Sequence, residues 1–415
     1  MNRNGFWKAG HWPTLLASFL YFDVSFLVWV ILGPLGPFLG ESLRLTATQK
    51  GFLVAMPLLA GSLLRPVMGM LADRIGGRRA ALLGMAITTL PLFLGWRVAS
   101  RLDHFLLIGL LLGVAGASFA VALPLASRWY PPQYQGLAMG IAGAGNSGTV
   151  LATLFLPRLA AHFGWQQAFG LALLPLAAVL ILFLLLAKDP ASRAATPSVS
   201  TYRALLGQAD TGWFCFYYGI TFGGFVGLAS FLTVFLVDQY GLPKVKAGDL
   251  VTVAVFAGSA LRPVGGWLAD RFGGYRVLLA VYMGAAVLVT AMSSLPPVAQ
   301  GVMLLVATLG LFGVGNGAVF QLVPQRFTST IGAITGLVGA AGGIGGFLLP
   351  SAFGLIKDFA GSYAGGFLLV GFLSLSGFAT LLQLGSRWRR DWEPATGARC
   401  GVFCYRTWLG TGEAA

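Results

Sequence analysis

The stretch GSLLRPVMGMLADRIGGRR, at residues 61–79, returns later in the chain as GSALRPVGGWLADRFGGYR, at residues 258–276. The two copies are identical at 14 of 19 positions and lie 197 residues apart. Each copy places an arginine, Arg65 or Arg262, inside an apolar run. The repetition predicts that the chain consists of two related units.

The composition predicts a protein that lies in a membrane. Of its 415 residues, 57% are hydrophobic and only 10% are charged, and the mean hydropathy is +0.80. Soluble domains carry about 25% charged residues, and an apolar stretch of about 20 residues spans a bilayer as a helix. We count twelve such stretches, at 13–38, 50–72, 79–96, 104–127, 135–160, 165–187, 209–237, 247–269, 276–294, 301–324, 331–356 and 363–385.

These stretches predict an all-α membrane protein of twelve transmembrane helices in two six-helix, pseudo-symmetric halves. Because both halves begin on the same side, they form parallel repeats related by an axis along the membrane normal. The predicted divisions are an N-terminal half at 1–187, a polar cytoplasmic linker at 188–208, a C-terminal half at 209–385 and a tail at 386–415, which we expect to be solvated and poorly ordered.

The net charge of +14 is explained by topology. With the N-terminus in the cytoplasm, 17 of the 27 Lys and Arg residues fall in cytoplasmic loops and tails, eight fall outside and two are buried. This distribution follows the positive-inside rule. It predicts a multi-pass protein of the cytoplasmic (inner) membrane with both termini in the cytoplasm, and it favours anionic lipid over nucleic acid as the partner of the basic residues.

Arg65 and Arg262 are predicted to lie at the same depth in the membrane. Each precedes an acidic residue, Asp73 or Asp270, by eight positions, which is about 12 Å along a helix. A cation costs at least ~2.5 kcal/mol at the centre of a bilayer, and Asp23 is the only acid that we place as deep. Since guanidinium matches planar oxyanions through paired N–H donors, the arginines indicate a site for a small planar anion. A structural ion pair is the alternative.

The ends of the two repeats, LADRIGGRR at 71–79 and LADRFGGYR at 268–276, resemble the loop 2–3 signature of the major facilitator superfamily. The glycines allow a tight turn, and the acidic residues can accept hydrogen bonds that form in one state of a transporter and break in another. A charged turn that only fixes topology is the alternative. The predicted gating residues are Asp73, Arg74, Asp270 and Arg271.

A narrower resemblance covers residues 13–385. An arginine in both the second and the eighth helix, with glycine-rich stretches at 140–148 and 336–346, looks like the NarK-type nitrate/nitrite porter family of that superfamily. This resemblance implies that Arg65 and Arg262 clamp the anion. It also implies substrate contacts from Asn146, Tyr218, Phe222, Phe119 and Gly116, although ordinary core packing is the alternative for the aromatic residues, and Phe26 is a weaker candidate.

Asp23 has three possible roles. It can couple proton movement to transport, act as a fixed counter-ion to Arg65 or Arg262, or extend to the cytoplasmic edge of the membrane. Two buried arginines without an anion resist closure of the empty carrier, which favours obligatory exchange. Protonation of Asp23 as nitrate binds would keep the charge of the site nearly unchanged, so we expect nitrate uptake by proton symport, with nitrate/nitrite antiport as the alternative.

The predicted function is secondary active transport of nitrate, and of nitrite as well, by a monomeric protein that is not an enzyme. A facilitator for another small anion, such as a monocarboxylate, is a rival because carboxylates also suit paired guanidinium donors. A membrane-embedded enzyme or sensor is a rival of another class. The sequence offers no nucleophile–base pair, metal cluster or phosphate loop for it, and we expect no cofactor and no metal.

Overall fold

A computed structural model describes residues 3–190, 199–327 and 330–396. All regular structure in these ranges is helical, and twelve helical segments are long and apolar enough to cross a membrane, which confirms the predicted fold class. We call them spans 1 to 12, in chain order: Trp12–Ser42, Ala47–Ile75, Gly77–Arg97, Leu102–Ser127, Leu137–Phe163, Trp165–Leu186, Ala209–Tyr240, Lys244–Phe272, Gly274–Met292, Val298–Arg326, Ile331–Ala360 and Ala364–Trp388.

Three spans in the first set of six are interrupted, whereas each span in the second set is one continuous helix. Span 1 consists of the helices Trp12–Trp29 and Leu32–Ser42, and span 4 consists of Leu102–Gly116 and Phe119–Ser127. Span 5 is built from Pro132–Gly143, a 3₁₀ turn at Ala144–Ser147 and Gly148–Phe163. The helix of span 12 runs on to Thr396, and the short helices Arg3–Ala9 and Val199–Leu206 lie outside the spans.

The repeated sequence builds the same close helix contact twice. A Cβ atom at Gly113 in span 4 would lie 2.7 Å from the backbone nitrogen of Gly61 in span 2. A Cβ at Gly313 in span 10 would overlap with the carbonyl oxygen of Gly258 in span 8. These two pairs occupy equivalent positions of the repeat, and such backbone approach requires glycine. The arginine-bearing spans 2 and 8 are therefore fixed against spans 4 and 10.

The bundle is closed at one end. We call the end where residues 188–208 connect spans 6 and 7 the linker end, and the other the far end. At the far end, ion pairs join the first six spans to the last six. They are Lys50–Asp238 at 2.8 Å, Arg158–Asp249 at 2.6 Å and Lys244–Glu41.

At the linker end, none of the ion pairs among the described residues joins the first six spans to the last six. Its ion pairs lie within one set of spans, Arg128–Asp73 at 2.8 Å in the first and Arg326–Asp210 at 2.5 Å in the second. Two cavities, of about 760 and 730 Å³, reach this end, where Asp270 lines the first and Asp73 the second. The described bundle is therefore open at the linker end.

The prediction for the C-terminal tail needs correction. The sequence predicts a solvated tail from residue 386, but helix continues through Thr396 and Trp388 is fully buried. The indole Nε1 of Trp388 donates to Asp210 at 3.1 Å, and its ring stacks on Phe214 at 5.5 Å, so packing overrides the polar composition. Within the predicted linker, the helix Val199–Leu206 forms; residues 191–198 and 397–415 lie outside the described residues.

Two adjacent glycines of span 8, Gly265 and Gly266, allow a matched test of the contact between spans 8 and 10. A Cβ at Gly265 would overlap with the backbone of Val314, whereas a Cβ at Gly266 meets nothing within 4 Å. Gly265→Ala should therefore lower the free energy of unfolding by about 1–3 kcal/mol, while Gly266→Ala should leave it unchanged or slightly raised. Thermal unfolding in detergent measures both, and equal stability of the two variants would contradict the close contact of spans 8 and 10.

Candidate anion-binding site

Arg65 is a buried cation held by backbone carbonyl groups. Its side chain is 2% exposed, its Nε donates to the carbonyl oxygen of Gly116 at 3.3 Å, and its Nη1 donates to that of Gly339. Its buried Nη2 has no hydrogen-bond partner in the described residues. Because Gly339 belongs to span 11, Arg65 also joins the two sets of spans.

Aromatic rings rather than carboxylates surround the guanidinium group of Arg65. Its Cζ lies 5.5 Å from the ring centres of Trp29 and Phe119 and 5.4 Å from that of Phe222. None of the ion pairs in the described residues includes this arginine. Cation–π contacts contribute only about 0.5–2 kcal/mol each, so a bound anion would complete the site.

Trp29 forms the back wall of this site, and sequence reasoning missed it. Its Nε1 donates to the carbonyl oxygen of Pro57 at 2.7 Å. A Cβ at Gly61 would lie 2.8 Å from that nitrogen, and a Cβ at Gly116 would overlap with it. Gly116, predicted to contact the substrate, therefore makes room for Trp29 and holds Arg65 with its carbonyl group. Only the structure shows that both glycines face this tryptophan, so no pattern along the chain signals its role.

Arg262 lies on the other side of an aromatic stack. It is partly buried, its Nη2 donates to the hydroxyl oxygen of Tyr218 at 3.4 Å, and its Cζ lies 6.0 Å from the ring of Phe320. The rings of Tyr218 and Phe222 stack 5.0 Å apart at an angle of 5°. Since Phe222 contacts Arg65, this stack connects the two arginines, as their equivalent positions in the repeat predict.

The 3₁₀ turn of span 5 carries Asn146 and contacts Asp23 of span 1 through neighbouring residues. Asn146 is 4% exposed and, with Arg262, lines the cavity of about 760 Å³. A Cβ at Gly145 would lie 2.8 Å from the backbone nitrogen of Asp23, so spans 1 and 5 touch through their backbones here. The hydroxyl of Ser147 donates to Asp23 Oδ1 at 2.5 Å. Asp23 forms no ion pair with either arginine in the described residues.

Of the four predicted gating residues, Asp73 forms an ion pair and the other three are exposed. Asp73 accepts from Arg128 at 2.8 Å, within the first set of spans. Tyr202 and Asp73 both line the cavity of about 730 Å³. The pKa of Tyr202 is raised mainly by burial and secondly by the negative charge of Asp73. Asp270 is exposed on the wall of the other cavity. Arg74 and Arg271 are exposed as well.

The turns between spans 2 and 3 and between spans 8 and 9 need their glycines. Gly76 has φ = +97° and Gly273 has φ = +89°, a region that favours glycine. A Cβ at Gly76 would lie 2.5 Å from Asp189 Oδ2. Asp189 Oδ1 also accepts from the backbone N–H of Arg78 at 2.8 Å, in the first turn of span 3, where a helix favours negative charge.

The structure thus brings most of the predicted site residues together. Phe26, the weaker candidate, packs instead against Phe22 at 4.5 Å and Trp29 at 5.0 Å, one layer behind the arginine. Residues grouped around the guanidinium groups and their cavity are Arg65, Arg262, Asn146, Tyr218, Phe222, Phe119 and Gly116.

Comparison with known proteins places this chain in a family. The family model described as Major Facilitator Superfamily matches residues 16–350. The probable nitrate/nitrite transporter NarK2 of Mycobacterium tuberculosis is 35% identical over 342 residues, which cover 81% of this chain and 86% of that protein. This chain belongs to the NarK-type nitrate/nitrite porters of the major facilitator superfamily. It is therefore related to transporters and not to enzymes.

Other relatives agree with this membership. The nitrite extrusion protein of Bacillus subtilis is 31% identical, covering 87% of this chain and 91% of that protein. The probable nitrate/nitrite antiporter NarK1 of Thermus thermophilus is 33% identical, covering 84% and 85%. A partially occluded inward open structure of the xylose transporter XylE from E. coli shares the fold, with a TM-score of 0.70 at 14% identity over 90% of this chain and 98% of XylE.

The different surroundings of the two arginines predict different effects on stability. Arg65→Lys keeps the charge but cannot reach both carbonyl groups, so it should lower the free energy of unfolding by about 2–3 kcal/mol. Arg262→Lys loses one long hydrogen bond and should cost less than about 1 kcal/mol. Thermal unfolding of the anion-free protein compares them, and an equal loss would contradict the environments described above.

Proposed function

We propose that this protein carries nitrate, and nitrite as well, across the membrane by alternating access of two six-helix halves, residues 1–187 and 209–385. The observation that carries the proposal is the buried Nη2 of Arg65, which has no partner in the described residues. A planar oxyanion supplies the missing acceptor and the missing negative charge together. The names of the relatives favour nitrate and nitrite among such anions.

We place the protein in the cytoplasmic membrane with both termini inside, because the distribution of Lys and Arg favours that orientation. Anionic lipid headgroups are then the partners of the basic loops. The linker end faces the cytoplasm in this orientation. The open cavities make the conformation inward-facing, and the far-end ion pairs, such as Lys50–Asp238, form the outer gate.

Proton symport is the mode of transport that we propose, with Asp23 as the coupling residue. Asp23 contacts Ser147, beside Asn146 of the cavity wall, and is not paired with an arginine in the described residues. That location supports proton coupling over a fixed counter-ion. Protonation of Asp23 on nitrate binding would offset the negative charge of the anion, so that the halves can close over the site.

Nitrate/nitrite exchange is the second candidate. The charge of Arg65 favours it, because an empty site with an unpaired buried cation resists the closure that an empty carrier needs in order to return. The relative from Thermus thermophilus is named as an antiporter. Exchange and symport assign different roles to Asp23.

Removal of either guanidinium charge tests the anion site. In proteoliposomes, Arg65→Gln and Arg262→Gln should each lower nitrate uptake more than about a hundredfold, since loss of one partner of a buried charge pair costs about 3–5 kcal/mol. Arg101→Gln, which removes an exposed arginine paired with Asp103, is the matched control and should transport normally. Uptake that survives in the Arg65→Gln or the Arg262→Gln variant, or stronger competition by formate than by nitrite, would overturn the assignment.

Replacement of Asp23 tests the mode of transport. Liposomes that contain a pH-sensitive dye and no internal anion should acidify when nitrate is added outside at a clamped membrane potential. Asp23→Asn keeps the side-chain shape and should abolish this acidification while nitrate/nitrite exchange continues. If the wild type takes up nitrate only when nitrite is present inside, exchange is the correct mode and Asp23 is a structural residue.

A further inference from the structure

A buried amide beside Arg262 is not explained by the function described so far. Asn316, in span 10, is 2% exposed and lines the cavity of about 760 Å³. Its Oδ1 has no hydrogen-bond partner in the described residues. Ser259 Oγ, one helical turn before Arg262, is likewise buried without a partner there, and Ser259 lines the same cavity. Since unsatisfied buried polar groups are costly, two of them close to Arg262 indicate a ligand site.

Asn316 lies at the level of Arg262 because spans 8 and 10 touch through their backbones. A Cβ at Gly317, the next residue, would overlap with the carbonyl oxygen of Arg262. Phe320 follows Asn316 by one helical turn on the same face, and its ring lies 6.0 Å from the Cζ of Arg262. The guanidinium group therefore lies along the face of span 10 that carries the amide.

This amide breaks the symmetry of the duplicated site. Spans 4 and 10 align at an offset of 200, so the counterpart of Asn316 is Gly116. No side chain fits at Gly116, because Trp29 occupies that space. The counterpart of Trp29, at an offset of 196, is the smaller ring of Phe225. The second copy of the site thus has room for a hydrogen-bonding side chain that the first copy excludes.

We propose that Asn316, with Ser259, forms a polar subsite that binds the third oxygen of nitrate and selects nitrate over nitrite. The inference rests on the proposed function. Nitrate is trigonal with three oxygen atoms, whereas nitrite is bent with two, which the two arginines can bind without further help. A primary amide offers its NH₂ group or its oxygen by rotation about its last bond, so Asn316 can donate to the third oxygen.

Selectivity between the two anions tests the subsite. Asn316→Leu has a similar volume and no donor. In proteoliposomes it should raise the half-saturating concentration for nitrate about tenfold, as expected for one hydrogen bond to an anion, and that for nitrite less than about twofold. Retained nitrite transport also shows that the variant is folded. An equal change for both anions, or no change, would overturn the proposal.

Gln325→Leu is the matched control. It removes an exposed amide from the same cavity wall, nine residues further toward the linker end and so about 13.5 Å along the helix. Its nitrate-to-nitrite ratio should equal that of the wild type. If Asn316→Leu does not fold, Asn316→Ser and Asn316→Ala decide the question, because only Ser retains a donor. Equal selectivity of these two variants would overturn the proposal.

The outcomes separate this inference from the function on which it rests. A wild-type protein that carries no nitrate contradicts the proposed function itself. A wild-type protein that carries nitrate, together with an Asn316→Leu variant of unchanged selectivity, contradicts the subsite alone.

Discussion

A guanidinium charge without a carboxylate partner, buried among aromatic rings, is the constraint on which this structure depends. Arg65 uses two of its nitrogen atoms on backbone carbonyl groups and leaves Nη2 unpaired in the described residues. Carbonyl oxygens and ring faces reduce the cost of burying this cation without cancelling its charge. Arg65 can therefore be buried in the folded protein and still keep a free N–H donor and a positive charge with which to bind an anion.

The position of Arg65 connects binding to movement. Its Nη1 donates to Gly339 of span 11, while its Nε donates to Gly116 of span 4, so this one side chain contacts both sets of spans. Any rocking of one set against the other must change the contact with Gly339. In the proposed transport cycle, ion pairs at the far end, such as Lys50–Asp238, open in the same movement. In the proposed alternating access, Arg65 is therefore the residue at which we expect substrate charge to be coupled to helix movement.

The sequence predicts the membrane fold and the pairing of the arginines because both depend on patterns along the chain. Long apolar stretches locate the spans, and the repeat places Arg65 and Arg262 at equal depth. Contacts that depend on tertiary packing escaped this reasoning. In the sequence, Trp29 is one more apolar residue, and only the structure shows that it packs against Gly61 and Gly116. Trp388 lies in a polar stretch, but Asp210 and Phe214 bury it.

The central claim is that Arg65 and Arg262 share a single anion. Titration calorimetry of the purified protein with nitrate tests it most directly, because it counts the bound ions. The account predicts one nitrate per chain in the wild type and no measurable binding in either Arg65→Gln or Arg262→Gln. Two nitrates per chain, or one retained by each single variant, would contradict it and show that the arginines form separate sites.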